Sequence, residues 1–145
     1  MRWITRRNVK VDRVACPWLI RRFIDAEAEF HFVEEQELIH SVQLLGAIPF
    51  DAPRLREIKL NHRGDRCTFE ALLEDYELHD PALRRLGLIV RAADVPGQEH
   101  VAAEGIGLRA IAQGFGAMGL ADDERIALQM PVYDALYQHV RNQKE

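Results

Sequence analysis

The order of apolar and polar positions along the chain predicts a mixed fold in which helices dominate. Glu29-Phe30-His31-Phe32-Val33 alternates and is rich in aromatic residues, which predicts a strand with His31 facing away from Phe30 and Phe32. Trp3-Ile4-Thr5 predicts a shorter strand, and Ala47 to Phe50 and Leu55 to Leu60 are weaker strand candidates. Elsewhere the apolar residues recur at helical spacing. Leu19, Ile20, Phe23 and Ile24 form one stripe, Leu38, Val42 and Leu45 a second, and Leu83, Leu86, Ile89 and Val90 a third. Ile126, Met130, Tyr133, Leu136, Tyr137 and Val140 form the last. The sum is an α+β domain, mostly helical, with a small β-sheet from the N-terminal half. The first and last stripes are expected to share its core.

Punctuation residues set the expected boundaries. Pro17 suits a first helical position, which makes Cys16 the N-cap of a helix reaching about Ile24. Acids at Glu34, Glu35 and Glu37 open the second helix, Gly46 stops it, and His40 points to solvent. Thr68 caps a helix from Phe69 to about Tyr76, and Asp80-Pro81 opens another that ends near Asp94. Pro96-Gly97 breaks the chain. Asp122-Asp123-Glu124 opens the final helix, which Pro131 should kink or split near Met130. Gly105 to Gly119 holds five glycines, which close helix packing explains; Gly114-x-Gly116 lacks the rest of a dinucleotide fingerprint.

A chain of 145 residues, 48% hydrophobic and 29% charged, fits one globular domain over residues 1–145. Its net charge of −4 argues against direct nucleic-acid binding. No apolar run reaches the length of a membrane span, and Met1 to Arg7 has no apolar core of a secretory signal. Two cysteines make no disulfide framework, so a cytoplasmic location with reduced thiols is the default expectation.

Candidate chemistry gathers in two places. The loop from Asn61 to Cys67 brings a histidine, an aspartate and a thiol together, with Glu70 one helical turn later. Imidazole with carboxylates suits iron, manganese or zinc, although the spacing matches no specific metal motif; a loop histidine bonded to backbone, with Thr68 and Glu70 merely capping a helix, is the alternative. Asp94 falls at the helix end where the dipole disfavours an acid, which marks it as a site residue. His62, Asp94, Glu70 and Asp134 are therefore the metal-ligand set, with an Asp94–Arg91 ion pair as the rival account. The second place is the first helix. Arg13 and Arg21 suit a small oxyanion, with Asp12 holding one of them; a salt bridge on the helix shoulder is the alternative. Cys16 and Cys67, if both sit at helix N-termini, are thiolate or redox candidates; otherwise they are buried core thiols.

The blocks Lys10 to Asp25, Pro49-Phe50-Asp51, His62 to Phe69, Ile89 to Asp94 and Tyr133 to Tyr137 resemble, in the same order, the C-terminal domain of the ChrB chromate-resistance regulators. The resemblance covers nearly the whole chain. It implies a bacterial protein of the chromate-resistance type, which senses or handles chromate or its oxidative consequences through a metal or oxyanion site. It groups the His62 block and Asp94 together. A small metal-dependent enzyme using His62 and carboxylates is one alternative. A non-catalytic effector-binding module, acting with a partner chain or as a homo-oligomer, is another. The regulators carry an additional N-terminal region, and any DNA-binding role belonging to that region does not transfer to this chain.

Overall fold

The computed structural model describes residues 1–143. Strand β1 (Arg2–Arg6) runs through the centre of a parallel sheet, between β2 (Glu29–Val33) and β3 (Ile48–Pro49). Trp3 pairs with Phe30 on one side and Ile48 on the other, and Ile4 with His31 and Pro49. Parallel neighbours need crossovers. Helix α1 (Asp12–Leu19) makes the first and α2 (Leu38–Leu45) the second. The rest of the fold is helical: α3 (Thr68–Asp75), α4 (Pro81–Asp94), α5 (Glu104–Ala117) and α6 (Asp122–Arg141). This is the expected α+β arrangement, mostly helical with a small N-terminal sheet.

Side chains alternate across a strand, and the sheet separates two apolar clusters accordingly. Trp3 enters the main core, where Leu19 and Ile20 meet Ile126, Tyr133 and Val140 as the helical spacings predict. Trp18 stacks on Phe69 and tilts against Tyr133 and Tyr137. Ile4 points the other way, to Leu38, Ala47, Ala52 and Ile58, with Val42 and Leu45 beside them. Each fully buried large apolar side chain contributes about 1.5–3 kcal/mol. These faces, more than local propensity, hold the helices in place.

Several boundaries differ from the sequence expectation. Helix α1 starts at Asp12, so Pro17 lies inside it and Cys16 is not its N-cap. Pro17 leaves the carbonyl of Arg13 without its usual donor. Burial of Val14, Ala15, Trp18 and Leu19 carries the helix through nonetheless. It continues into a wider π-helical turn over Ile20–Ile24, closed by the Asp25 N–H donating to the Ile20 carbonyl at 2.7 Å. Residues 55 to 60 form turns rather than a strand. Cys67, not Thr68, caps α3. Helix α6 runs unbroken past Pro131. Of the α5 glycines, only Gly105 is explained by close packing, since a Cβ there would overlap Ala92 of α4; Gly107, Gly114 and Gly116 face open space.

Candidate metal centre

Four elements deliver one side chain each to a common point. Asp12 is the first residue of α1, and its carboxylate lies across the N-terminus of α3. Its Oδ2 accepts the Thr68 N–H at 2.7 Å and its Oδ1 the Phe69 N–H at 3.0 Å. Asp12 thus satisfies two donors that an α-helix cannot bond internally, and complements the α3 dipole. Cys16, one turn along α1, donates its thiol to Asp12 Oδ1 at 3.4 Å. Asp51 follows β3 in the left-handed backbone region, at φ 54°, which aspartate tolerates better than most residues. Its N–H donates to the Leu60 carbonyl at 2.8 Å, and the Asn61 amide donates to the Ala52 carbonyl at 2.8 Å. These bonds close the loop between them and return the chain so that His62 faces Asp51. Asp94 is the last residue of α4.

His62 Nε2 is the meeting point. It lies 3.3 Å from Asp12 Oδ2, 3.4 Å from Asp51 Oδ1 and 3.2 Å from Asp94 Oδ2. One ring nitrogen carries at most one proton, so it cannot donate fully to three carboxylates. None of the three contacts is as short as a charge-assisted hydrogen bond of about 2.7–2.9 Å. One ligand atom each from Asp12, His62 and Asp94 lies within 4.8 Å of the others. Adjacent ligands on an ion with bonds of about 2.1 Å stand roughly 3 Å apart, close to the His62 contacts. The donor set, one imidazole and two carboxylates, fits a divalent transition metal ion.

The electrostatics agree. The carboxylates of Asp12, Asp51 and Asp94 push the His62 pKa up to about 12. Burial, then the neighbouring Asp51, raises that of Asp12. Burial acts on Asp51 in the same sense, but His62, Thr68 and Arg13 outweigh it and hold Asp51 below the usual carboxylate range. The cluster therefore takes up positive charge where it can. Asp51 is served separately: Thr68 Oγ1 donates to its Oδ1 at 2.8 Å, and its Oδ2 lies 3.4 Å from Arg13 Nε and 3.8 Å from Arg6 Nη2.

The expected site residues divide sharply. His62 and Asp94 meet, as proposed from the sequence. Glu70 is elsewhere: it forms a two-point ion pair with Arg91 at 2.9 and 2.7 Å and accepts the Cys67 N–H at 3.0 Å. The rival account loses its basis too, because Arg91 is engaged by Glu70 and Asp94 by His62. Asp134 on α6 is half exposed and accepts from Trp18 Nε1 at 2.7 Å and from Arg22 at 2.8 and 3.0 Å. The arginines proposed for an oxyanion have other partners. Arg13 donates to the carbonyls of Arg6 and Arg7 at 2.9 and 2.6 Å. Arg21 donates to the Ala28 carbonyl at 3.3 Å and lies over the Phe30 ring. Asp12 holds neither. Cys16 sits inside a helix, fully buried, and burial followed by Asp12 raises its pKa well above that of an ordinary thiol. Cys67 does stand at a helix N-terminus, but burial and then Asp12 raise its pKa as well. Both thiols are free and buried, which removes the ground for a thiolate at either.

Two residues of the cluster, Asp12 as a ligand and Asp51 beside it, were not apparent in the sequence. An acid in the first turn of α1 becomes visible once that helix is known to begin at residue 12. Asp51 carries no comparable local signal.

A sequence model for the family described as "ChrB, C-terminal domain" matches residues 3–140. Among curated proteins the chain is similar to Protein ChrB of Cupriavidus metallidurans, at 38% identity over 138 residues. The match covers 94% of this chain and 40% of that protein, so the chain spans about two fifths of its relative. No solved structure matches the chain. No helix among the described residues is long and apolar enough to cross a membrane.

Proposed function

The chain belongs to the ChrB C-terminal domain family, and from that premise we propose that it is a metal-holding domain of the chromate-resistance type. In this reading Asp12, His62 and Asp94 hold a divalent iron, manganese or zinc ion, through which the protein senses or handles chromate or its oxidative consequences. The observation that carries the proposal is the convergence of three carboxylates on His62 Nε2 at 3.2–3.4 Å. A carboxylate-rich cluster attracts a cation and repels an oxyanion. Arg13 is taken up by Asp51 and the Arg6 and Arg7 carbonyls, and Arg21 by the Ala28 carbonyl, so neither is offered to an oxyanion. Oxygen-rich ligation favours manganese or iron, while the imidazole keeps zinc in contention.

Each side chain has a distinct task. Asp12 is fixed from behind by the α3 N–H groups and Cys16, so it is the most rigid ligand. Thr68 and Arg13 orient Asp51, which faces His62 and adds negative potential. His62 and Asp94 complete the set from the solvent side. Three protein ligands leave at least one open position, as in catalytic rather than structural metal sites. That vacancy also favours a second reading, a small enzyme in which the ion would supply Lewis acidity.

The test is elemental analysis of protein purified without an affinity tag. His62→Ala and Asp94→Ala should each abolish bound metal, while Arg91→Ala should keep it. Wild-type protein that carries no stoichiometric metal, and takes none up from iron, manganese or zinc, would sink the proposal.

A further inference from the structure

The cluster has a sealed side and an open side. The Asp12 and Asp51 side chains are 1% and 5% exposed, whereas those of His62 and Asp94 are 25% and 21% exposed. Asp94 also belongs to the wall of a cavity of about 270 Å³. This cavity lies between the connection after β1, at Lys10 and Val11, and the α5 residues Arg109, Ala112 and Gln113. At roughly 30 Å³ per water, it has room for a small ligand and several waters.

Its two cations are unlike. Arg109 is committed: it donates to the Ala93 and Ala92 carbonyls at 3.0 and 3.1 Å and pairs with Glu99 at 3.3 Å. It therefore serves the C-terminal carbonyls of α4. Lys10 is exposed and makes no hydrogen bond or ion pair with the described residues. Simple charge counting then gives the cavity a preference. Asp12, Asp94 and a neutral imidazole would neutralise a divalent ion, and Asp51, with Arg13 and Arg6 beside it, is not part of the cavity wall. Glu99 is paired with Arg109, so the Lys10 ammonium is the cation of the cavity wall left without a carboxylate partner among the described residues.

We infer that this cavity admits a small inorganic or carboxylate anion, which takes an open position on the bound ion from the Asp94 side with Lys10 as its counter-charge. The inference rests on the metal reading above and adds the class of exogenous ligand and the residue that selects it. Lys10 makes no hydrogen bond or ion pair with a proposed ligand, so changing it should leave metal binding intact. Binding by the anion alone, without the ion, is not expected, because Asp94 would repel it.

Cobalt(II)-loaded protein titrated with azide provides the test. Elemental analysis first establishes cobalt stoichiometry, and the visible absorption of cobalt then reports azide entering its coordination sphere. Wild-type protein should show a saturable spectral change. Lys10→Met should weaken azide binding by about ten-fold, the loss of one charge-assisted contact, at unchanged cobalt content. Lys10→Arg should restore most of the affinity. Cobalt bound without any azide response, or Lys10→Met matching wild type, overturns the anion site alone. Failure to bind cobalt overturns the metal reading and the anion site with it.

Discussion

Thr68 and Glu70, two residues apart at the start of α3, belong to opposite kinds of electrostatic surroundings. Glu70 meets Arg91 through two parallel contacts, one anion to one cation, with both side chains more than four-fifths covered. Thr68 meets Asp12 through its N–H and Asp51 through its hydroxyl, and those two acids share His62 with a third, Asp94. In the first region every charge has a partner in good geometry, which is how a fold stabilises a partly buried ion pair. In the second, three acids crowd one nitrogen and no contact is short. A protein that needed only stability would not assemble that group. An ion pair and a candidate site are told apart by their charge balance, since both are built from charged side chains largely withdrawn from solvent.

Of the substitutions that separate the two regions, Asp12→Ala should be the most costly. Asp12→Ala removes the acceptors of two buried α3 N–H groups and leaves the Cys16 thiol unbonded. It should cost about 3 kcal/mol, combining a lost helix cap with unsatisfied buried donors. The urea midpoint should fall without a change in slope. Metal binding should be lost as well. A loss below about 1 kcal/mol would show that Asp12 does not anchor α3.

Arg91→Met should have an intermediate effect and sharpens the contrast from the other side. It leaves Glu70 partly buried without its cation, at a cost of about 1–2 kcal/mol, while the Cys67 N–H still bonds Glu70. Metal content should be unchanged, because no atom of that pair reaches His62. If Arg91→Met lost metal together with stability, the two regions would be one coupled network and the distinction drawn here would fail.

The parts of this picture legible in the sequence were those with a local cause. Glu29–Val33 alternates and is a strand; Asp80-Pro81 begins α4; Asp94 stands at the wrong helix end for its charge and meets His62. The errors share a cause as well. Pro17 suggested a helix start because local rules favour proline there, but the main core holds the turn before it and moves the start back to Asp12. With the start misplaced, Cys16 became a cap and Asp12 an arginine's partner. Glu70 was drawn into the ligand set by nearness to His62 in sequence, although its position three residues after Cys67 is that of a capping box. Asp51 was missed because nothing nearby requires it. Its role arises only when the loop closed by Asp51 and Leu60 brings His62 back across it.

The smallest expected effect on stability is the most discriminating, and it concerns Asp94→Asn in metal-free protein. Asparagine keeps the shape of the side chain and can remain beside His62. The change removes the attraction between Asp94 and an imidazolium, which is destabilising. It also removes the repulsion of Asp94 on buried Asp12, and an acid from the C-terminal end of the α4 dipole, each of which is stabilising. The Asp94 side chain is 21% exposed, so solvent weakens all three effects. They should cancel to within about 0.5 kcal/mol, with a gain more in keeping with a binding site than a loss. Metal binding should nevertheless disappear, since an amide oxygen lacks the charge to replace a carboxylate ligand. Urea unfolding in the presence of a chelator, alongside elemental analysis without it, measures both quantities. A loss of about 1–2 kcal/mol, like that expected for Arg91→Met, would place Asp94 with the structural ion pairs. Near-neutral stability with abolished metal would separate the two regions on the ground that matters, what each acid is kept for.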